Sequence, residues 1–183
     1  MAQILNFPSP PGLRALVLTG PNGVGKTTTA LEIYKILGEM GHTTLFLDLD
    51  HLTNVIPIPE DDPHNSLLGI RNLASMWPNF TDRNVEYAIV ARIIEDPADR
   101  DLYEKSFGEV DLRVVRITAS SEVRRTRIIE RRERPNMEWE LVRTEELEKI
   151  LSGLGVEDFV VSNDGLTPKE VALKILEELE WPT

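Results

Sequence analysis

The chain has no cysteine in its 183 residues, which excludes disulfides, thiolate metal ligands and thiol catalysis. No apolar run is long enough to span a bilayer. Positive charge is scarce: 20 Lys and Arg face 31 Asp and Glu, for a formal net charge of −11. Such a balance argues against a general nucleic-acid binder, whose surface is basic. Near the start there is no basic segment followed by an apolar one; Phe7-Pro8-Ser9-Pro10-Pro11-Gly12 reads as part of a flexible leader over residues 1–12. The expectation is a cytoplasmic protein with no membrane or nucleic-acid partner, a monomer or homodimer. The length fits a single domain over 1–183, with no repeat or composition shift to mark a second.

What is present is concentrated in Gly20-Pro21-Asn22-Gly23-Val24-Gly25-Lys26-Thr27, a complete G-x-x-x-x-G-K-[ST] phosphate-binding loop. It follows the apolar run Ala15-Leu16-Val17-Leu18 and opens a segment of helical periodicity. The glycines let successive backbone N–H groups turn inward around a triphosphate, and the helix that follows presents its positive end to the same phosphates. Lys26 has the reach for the β/γ oxygens, and Thr27 is placed to ligate Mg²⁺. ATP contacts are therefore expected from Gly20, Asn22, Gly23, Val24, Gly25, Lys26, Thr27 and Thr28. The plain alternative is a glycine-rich turn with an incidental lysine.

Strand and helix signals alternate along the rest of the chain. Strands are expected at Leu13–Thr19, Thr43–Leu47, Tyr87–Ala91, Leu112–Thr118 and Phe159–Val161. Helices are expected from Lys26 to Met40, with Gly41 just past the end, and from Ser66 to Trp77, stopped by Pro78. Others are expected between Ala98 and Phe107, after a Ser120 or Ser121 cap until Pro135, and from Met137 to Leu151. Thr167-Pro168-Lys169-Glu170 carries the full signature of a helix start. Such βαβ alternation predicts an α/β fold on a parallel sheet.

A bound triphosphate needs a destination for its γ-phosphoryl group. Ligands gather beyond the carboxyl ends of parallel strands, which places Asp48 and Asp50, after the second strand, beside the phosphate loop. Asp48 suits the Mg²⁺ shell, and Asp50 suits orienting and deprotonating an acceptor hydroxyl. The alternative role for either is capping the next turn. Six arginines lie between Arg124 and Arg134, and Arg124, Arg127, Arg131 and Arg134 fall on one helical face. That face can close over the triphosphate, with Arg127 and Arg131 as catalytic members, or stand solvated and paired with Glu122, Glu130 and Glu133.

With the Gly20–Thr27 loop, Asp48-x-Asp50 and the Arg124–Arg134 segment in this order, the chain resembles the small P-loop kinases, among them shikimate, gluconate and adenylylsulfate kinases and chloramphenicol phosphotransferase. The resemblance implies a P-loop NTPase three-layer α/β/α sandwich with a five-stranded parallel sheet and a helical lid. It also implies use of ATP and Mg²⁺, a first aspartate near metal and a second on the acceptor hydroxyl, and Asn163 to Gly165 against adenine. The Arg71-Asn72-Leu73 helix and Glu138-Trp139-Glu140-Leu141 are similar to the layout of uncharacterised bacterial P-loop ATPases. One departure is Arg92 at the end of the third strand, where an acidic residue or glycine turn is common.

Residues 51–83 match none of the named kinases and are expected to build the acceptor region, as 120–145 is expected to build the lid. His51, Arg71, Asn72 and Arg92 are the candidates for binding a small-molecule acceptor, against structural pairing or a turn role. Trp139 is expected to pack, with ligand stacking as its alternative. The function read from these residues is an ATP- and Mg²⁺-dependent phosphotransferase acting on a hydroxyl of a small polar metabolite, nucleoside or antibiotic. A nucleotide-driven switch or ATPase and a phosphate-acceptor kinase stand as alternatives. A polynucleotide 5′-kinase fits poorly, given the acidity and Thr53 where an arginine is needed.

Overall fold

The computed structural model describes residues 12–108, 110–131 and 136–183. Residues 1–11 of the leader, and Arg132, Glu133, Arg134 and Pro135, lie outside the described residues. The chain runs β1 (Arg14–Thr19), α1 (Lys26–Glu39), β2 (Thr44–Asp48), a 3₁₀ turn (Leu49–Leu52), α2 (Ser66–Thr81) and β3 (Tyr87–Ala91). It continues α3 (Pro97–Phe107), β4 (Asp111–Thr118), α4 (Ser121–Glu130), α5 (Met137–Leu154), β5 (Phe159–Ser162) and α6 (Pro168–Glu178). The five strands form one parallel sheet in the order β2-β3-β1-β4-β5.

Alternation along β1 divides the core. Leu16 and Leu18 face a layer built with Ile33 and Leu37 of α1 and with Val171, Ile175 and Leu176 of α6. Ala15 and Val17 face the opposite layer, where Ile70, Leu73 and Trp77 of α2 meet Tyr103 and Phe107 of α3. A central strand apolar on both faces fits only between two helical layers. The crossover order leaves the carboxyl ends of the strands open for a ligand, and the loops that carry chemistry collect there.

Two boundaries differ from expectation for physical reasons. Pro78 does not stop α2, which runs to Thr81. Proline lacks only its own N–H, and its carbonyl still accepts from Asp82 N at 3.2 Å and Thr81 Oγ1 at 2.8 Å. Trp77 pins that last turn, with its ring edge-on to Phe107 at 4.8 Å. The chain also turns sooner after β2 than an extended reading of Asp48-x-Asp50 allows, because Asp48 Oδ1 caps the 3₁₀ turn by accepting from Asp50 N at 3.1 Å. At α6 the capping box is complete: Thr167 Oγ1 accepts from Glu170 N, and Glu170 accepts from Thr167 N.

Candidate active site

The loop between β1 and α1 is shaped by close approach to its neighbours. Gly23 has φ +84°, and a Cβ there would lie 2.6 Å from the Arg124 carbonyl oxygen. Gly25, the N-cap of α1 at φ +94°, would bring a Cβ within 2.9 Å of Asn163 Nδ2. Both positions need glycine for conformation and for space. The loop is braced from three sides. Asn163 Nδ2 donates to Val24 O at 2.5 Å, Thr144 Oγ1 of α5 donates to Asn22 O at 2.7 Å, and Arg127 Nη1 donates to Val24 O at 3.3 Å.

Lys26 begins α1 with its ammonium folded back on its own loop, donating to Gly20 O at 2.9 Å and Pro21 O at 3.1 Å. Burial lowers its pKa from 10.5 to about 8; Arg131 and Arg92 push it further down, against Asp50 and Asp48. Thr27 Oγ1 donates to Asp48 Oδ2 at 2.7 Å, so the hydroxyl and the carboxylate expected around a metal are already in contact. Asp48 thus caps the turn with one oxygen, as weighed for it, and holds Thr27 with the other. Among the described residues no cluster of three or more acids or histidines is arranged to hold a metal by itself.

Lys26, Thr27, Asp48, Asp50, His51 and Arg131 line a cavity of about 280 Å³ with Asn22, Gly23, Gly25 and Asn54. A second cavity, about 320 Å³, opens alongside it. Asn22, Asp50 and Asn54 belong to both walls, so Asp50 stands where the two spaces meet. Arg92, only 6% exposed, comes off β3 into the second cavity and ion-pairs with Asp50. It also donates to His64 O at 2.6 Å and to Thr53 Oγ1 at 3.3 Å. The Arg92 guanidinium therefore fixes one Asp50 oxygen and ties β3 to the loop before α2.

The arginine face divides by depth. Arg124 is buried and structural: it ion-pairs with Glu145 at 2.7 Å and Glu148 at 3.3 Å and donates to Ala119 O. Arg127 braces the phosphate loop, and Arg131, at the exposed end of α4, reaches the phosphate-side cavity. Asp164 holds the start of α4 by accepting from Ser120 N at 2.9 Å, and the bonds from Ser120 lower its pKa. Asn163 is buried and engaged with the loop, donating to Val24 O and accepting from Arg127. Gly165 turns nearby at φ +70°, and Thr28 is exposed on α1.

Two acceptor candidates do not line either of these cavities. Asn72 is a strut, donating to Leu52 O at 2.7 Å, and Arg71 stands exposed on α2. Trp139 departs from the packing expected of it: it is 57% exposed at the second cavity. The wall of that cavity also includes Glu95, His64 and Arg143, none of which the sequence singled out. Arg143 of α5 ion-pairs with Glu95, and its Nη2 lies 3.2 Å from His64 Nε2. No local pattern announces this trio, because its members are drawn from three separate segments.

The fold is α/β, a five-stranded parallel sheet with helices on both sides, in the arrangement of the small P-loop kinases. No family model and no curated protein matches the chain. Among solved structures it is similar to a Mycobacterium tuberculosis APS kinase described in complex with AMPPNP and APS (TM-score 0.66, 19% identity, 93% of this chain and 99% of that one). It is also similar to a Deinococcus radiodurans tunicamycin resistance protein (TM-score 0.64, 18% identity, 93% and 97%). A third is a shikimate kinase from Acinetobacter baumannii in complex with shikimate (TM-score 0.59, 23% identity, 92% and 93%). At these identities the likeness is one of fold. Among the described residues no helix is long and apolar enough to cross a membrane.

Proposed function

We propose that the protein transfers the γ-phosphoryl group of ATP to a hydroxyl of a small polar molecule. The observation that carries this reading is the position of Asp50 on the shared wall of the phosphate-side cavity and a second cavity of about 320 Å³. A hydrolase needs room only for water beside its triphosphate, whereas a transferase needs a second, substrate-sized space. The APS and shikimate named with two of the similar structures are small molecules that fit the same reading.

Roles follow from placement. The backbone of Gly20 to Thr27 holds the triphosphate, and Lys26 exchanges its contacts with Gly20 O and Pro21 O for phosphate oxygens. The Thr27–Asp48 pair suits Mg²⁺ held jointly with the nucleotide, which supplies neutralisation of phosphate charge. Asp48 thereby takes on the task left open by Arg92 at the end of β3. Asp50, oriented through one oxygen by Arg92, accepts the acceptor's proton with the other. Arg131 stabilises charge on the transferring group, and Arg127 keeps the loop in shape.

The test is incubation with ATP, Mg²⁺ and a panel of hydroxyl compounds, read by mass for the gain of one phosphoryl group. A phosphorylated product, lost in Asp50→Asn with ATP affinity retained, is the expected result. ATP consumption without product, unaffected by Asp50→Asn, would support the ATPase or switch instead.

A further inference from the structure

The second cavity carries information about the charge of what it holds. Among the described residues two guanidiniums enter it, and each arrives with a carboxylate already in contact: Arg92 with Asp50, Arg143 with Glu95. Arg143 is further engaged by Glu146 at 3.4 Å, and Arg92 by two oxygen acceptors. A free carboxylate or phosphate on the acceptor would have to displace one of these acids: Glu95 would be left largely buried without its partner, and Asp50 would be left beside the incoming anion. Anions are therefore disfavoured, and ligand N–H and O–H donors find oxygen acceptors waiting.

The mouth has a different character. Trp139 of α5 and Ile58 of the loop before α2 both border it, with 57% and 58% of their surfaces exposed. Large apolar side chains left open beside a polar cavity gain most from a ligand with a flat or apolar face. The protein's other two tryptophans, Trp77 and Trp181, are buried in the two cores.

We infer that the acceptor is an uncharged or cationic hydroxyl compound with an apolar or ring face, of the nucleoside or amino-sugar kind. Anionic acceptors are rejected because Glu95 holds Arg143 and Asp50 holds Arg92. This rests on the phosphotransferase reading above, and it makes Glu95 and Trp139 specificity-determining residues.

The experiment uses matched pairs that differ in charge: uridine against uridine 5′-monophosphate, and glucosamine against gluconate. Each is offered to the full chain with ATP and Mg²⁺ and read by phosphorylated product. Each is also titrated with AMPPNP present and read by tryptophan fluorescence, with Trp139→Phe as the control that loses the signal. The neutral or cationic member of a pair is expected to be bound or turned over at least about 10-fold better than the acid, a margin matching one disfavoured charge contact. Glu95→Gln, which removes the nearest carboxylate from Arg143, is expected to narrow that ratio. Preference for the acids would overturn the inference and leave the phosphotransferase reading standing. Fluorescence binding of the neutral members without product would do the reverse. No response to any pair in a chain that binds AMPPNP would also overturn it.

Discussion

Replacing Lys26 with methionine is expected to make the protein more stable and inactive at once. In the absence of nucleotide the ammonium is buried against backbone carbonyls, and that burial lowers its pKa from 10.5 to about 8. A shift of that size corresponds to about 3 kcal/mol of destabilisation at neutral pH, at roughly 1.4 kcal/mol per unit. Methionine keeps the aliphatic stem and removes the charge, but it also removes two hydrogen bonds worth about 1 kcal/mol each. The net is a gain of about 1 kcal/mol, or a Tm higher by about 2–4 °C. The pH dependence fixes the cause. Below pH 8 lysine is protonated in both states and the penalty is complete; between 8 and 10.5 only the unfolded chain holds the proton. Wild type therefore gains on the variant as pH rises through that window. With ATP the order reverses, because saturation at about 100 times Kd adds about 2.7 kcal/mol to the wild type alone. Thermal unfolding of both proteins at pH 7 and pH 9.5, with and without ATP, reads all of this. A variant less stable than wild type without nucleotide, or a difference that ignores pH, would refute the reasoning.

The two ends of the arginine helix should separate stability from turnover. Arg124→Ala is expected to cost about 2–4 kcal/mol in urea unfolding, since Glu145 and Glu148 lose a buried partner. Arg131→Ala should leave unfolding within about 0.5 kcal/mol of wild type and lower kcat by about 100-fold or more; the opposite pattern would undo the division by depth. ATP affinity should fall as pH rises through about 8, where Lys26 loses its proton in the free protein, and isothermal titration at pH 7 and 9 checks it. Burial first, and then Asp96, raise the Asp99 pKa from 3.8 to about 6. The folded chain then binds an extra proton between those values and loses stability as pH climbs through them. Asp99→Asn should accordingly remove about 3 kcal/mol of penalty near pH 7, raising Tm by about 6–12 °C, and have no effect below pH 4.

How much was legible in the sequence depended on how local the physics was. The phosphate loop is eight contiguous residues, and the strands around it are short apolar runs whose burial on both faces is written in their composition. The capping box of α6 sits within four residues. The arginine helix shows the limit: periodicity puts Arg124, Arg127, Arg131 and Arg134 along one side, but depth depends on where α5 lies, and Arg134 lies outside the described residues. Because Glu145 and Glu148 come from α5, Arg124 turns inward to a structural role that spacing does not reveal. Pro78 misled for the converse reason, since the packing of Trp77 outweighs one missing donor. The acceptor wall was the least legible part. His64, Glu95 and Arg143 are 31 and 48 residues apart in succession and meet only after the sheet has formed.

Arg92, the residue that departs from the usual pattern, makes sense once strand order is considered. β2 lies beside β3, with Asp48 opposite Ala91 in the register, so an acid at the end of β2 stands one strand away from residue 92. With an acid at the end of β2, the end of β3 is free for a basic residue, which then has Asp50 within reach on the turn after β2. One exchange of charges between neighbouring strands therefore accounts for two features. It gives Thr27 its carboxylate partner, and it gives Asp50 a buried guanidinium to hold it between the cavities. An acid in place of Arg92 would face Asp50 with like charge at the same distance, which the wall of a half-buried cavity does not tolerate. Asp48, Asp50 and Arg92 thus form one unit, and their three identities depend on one another.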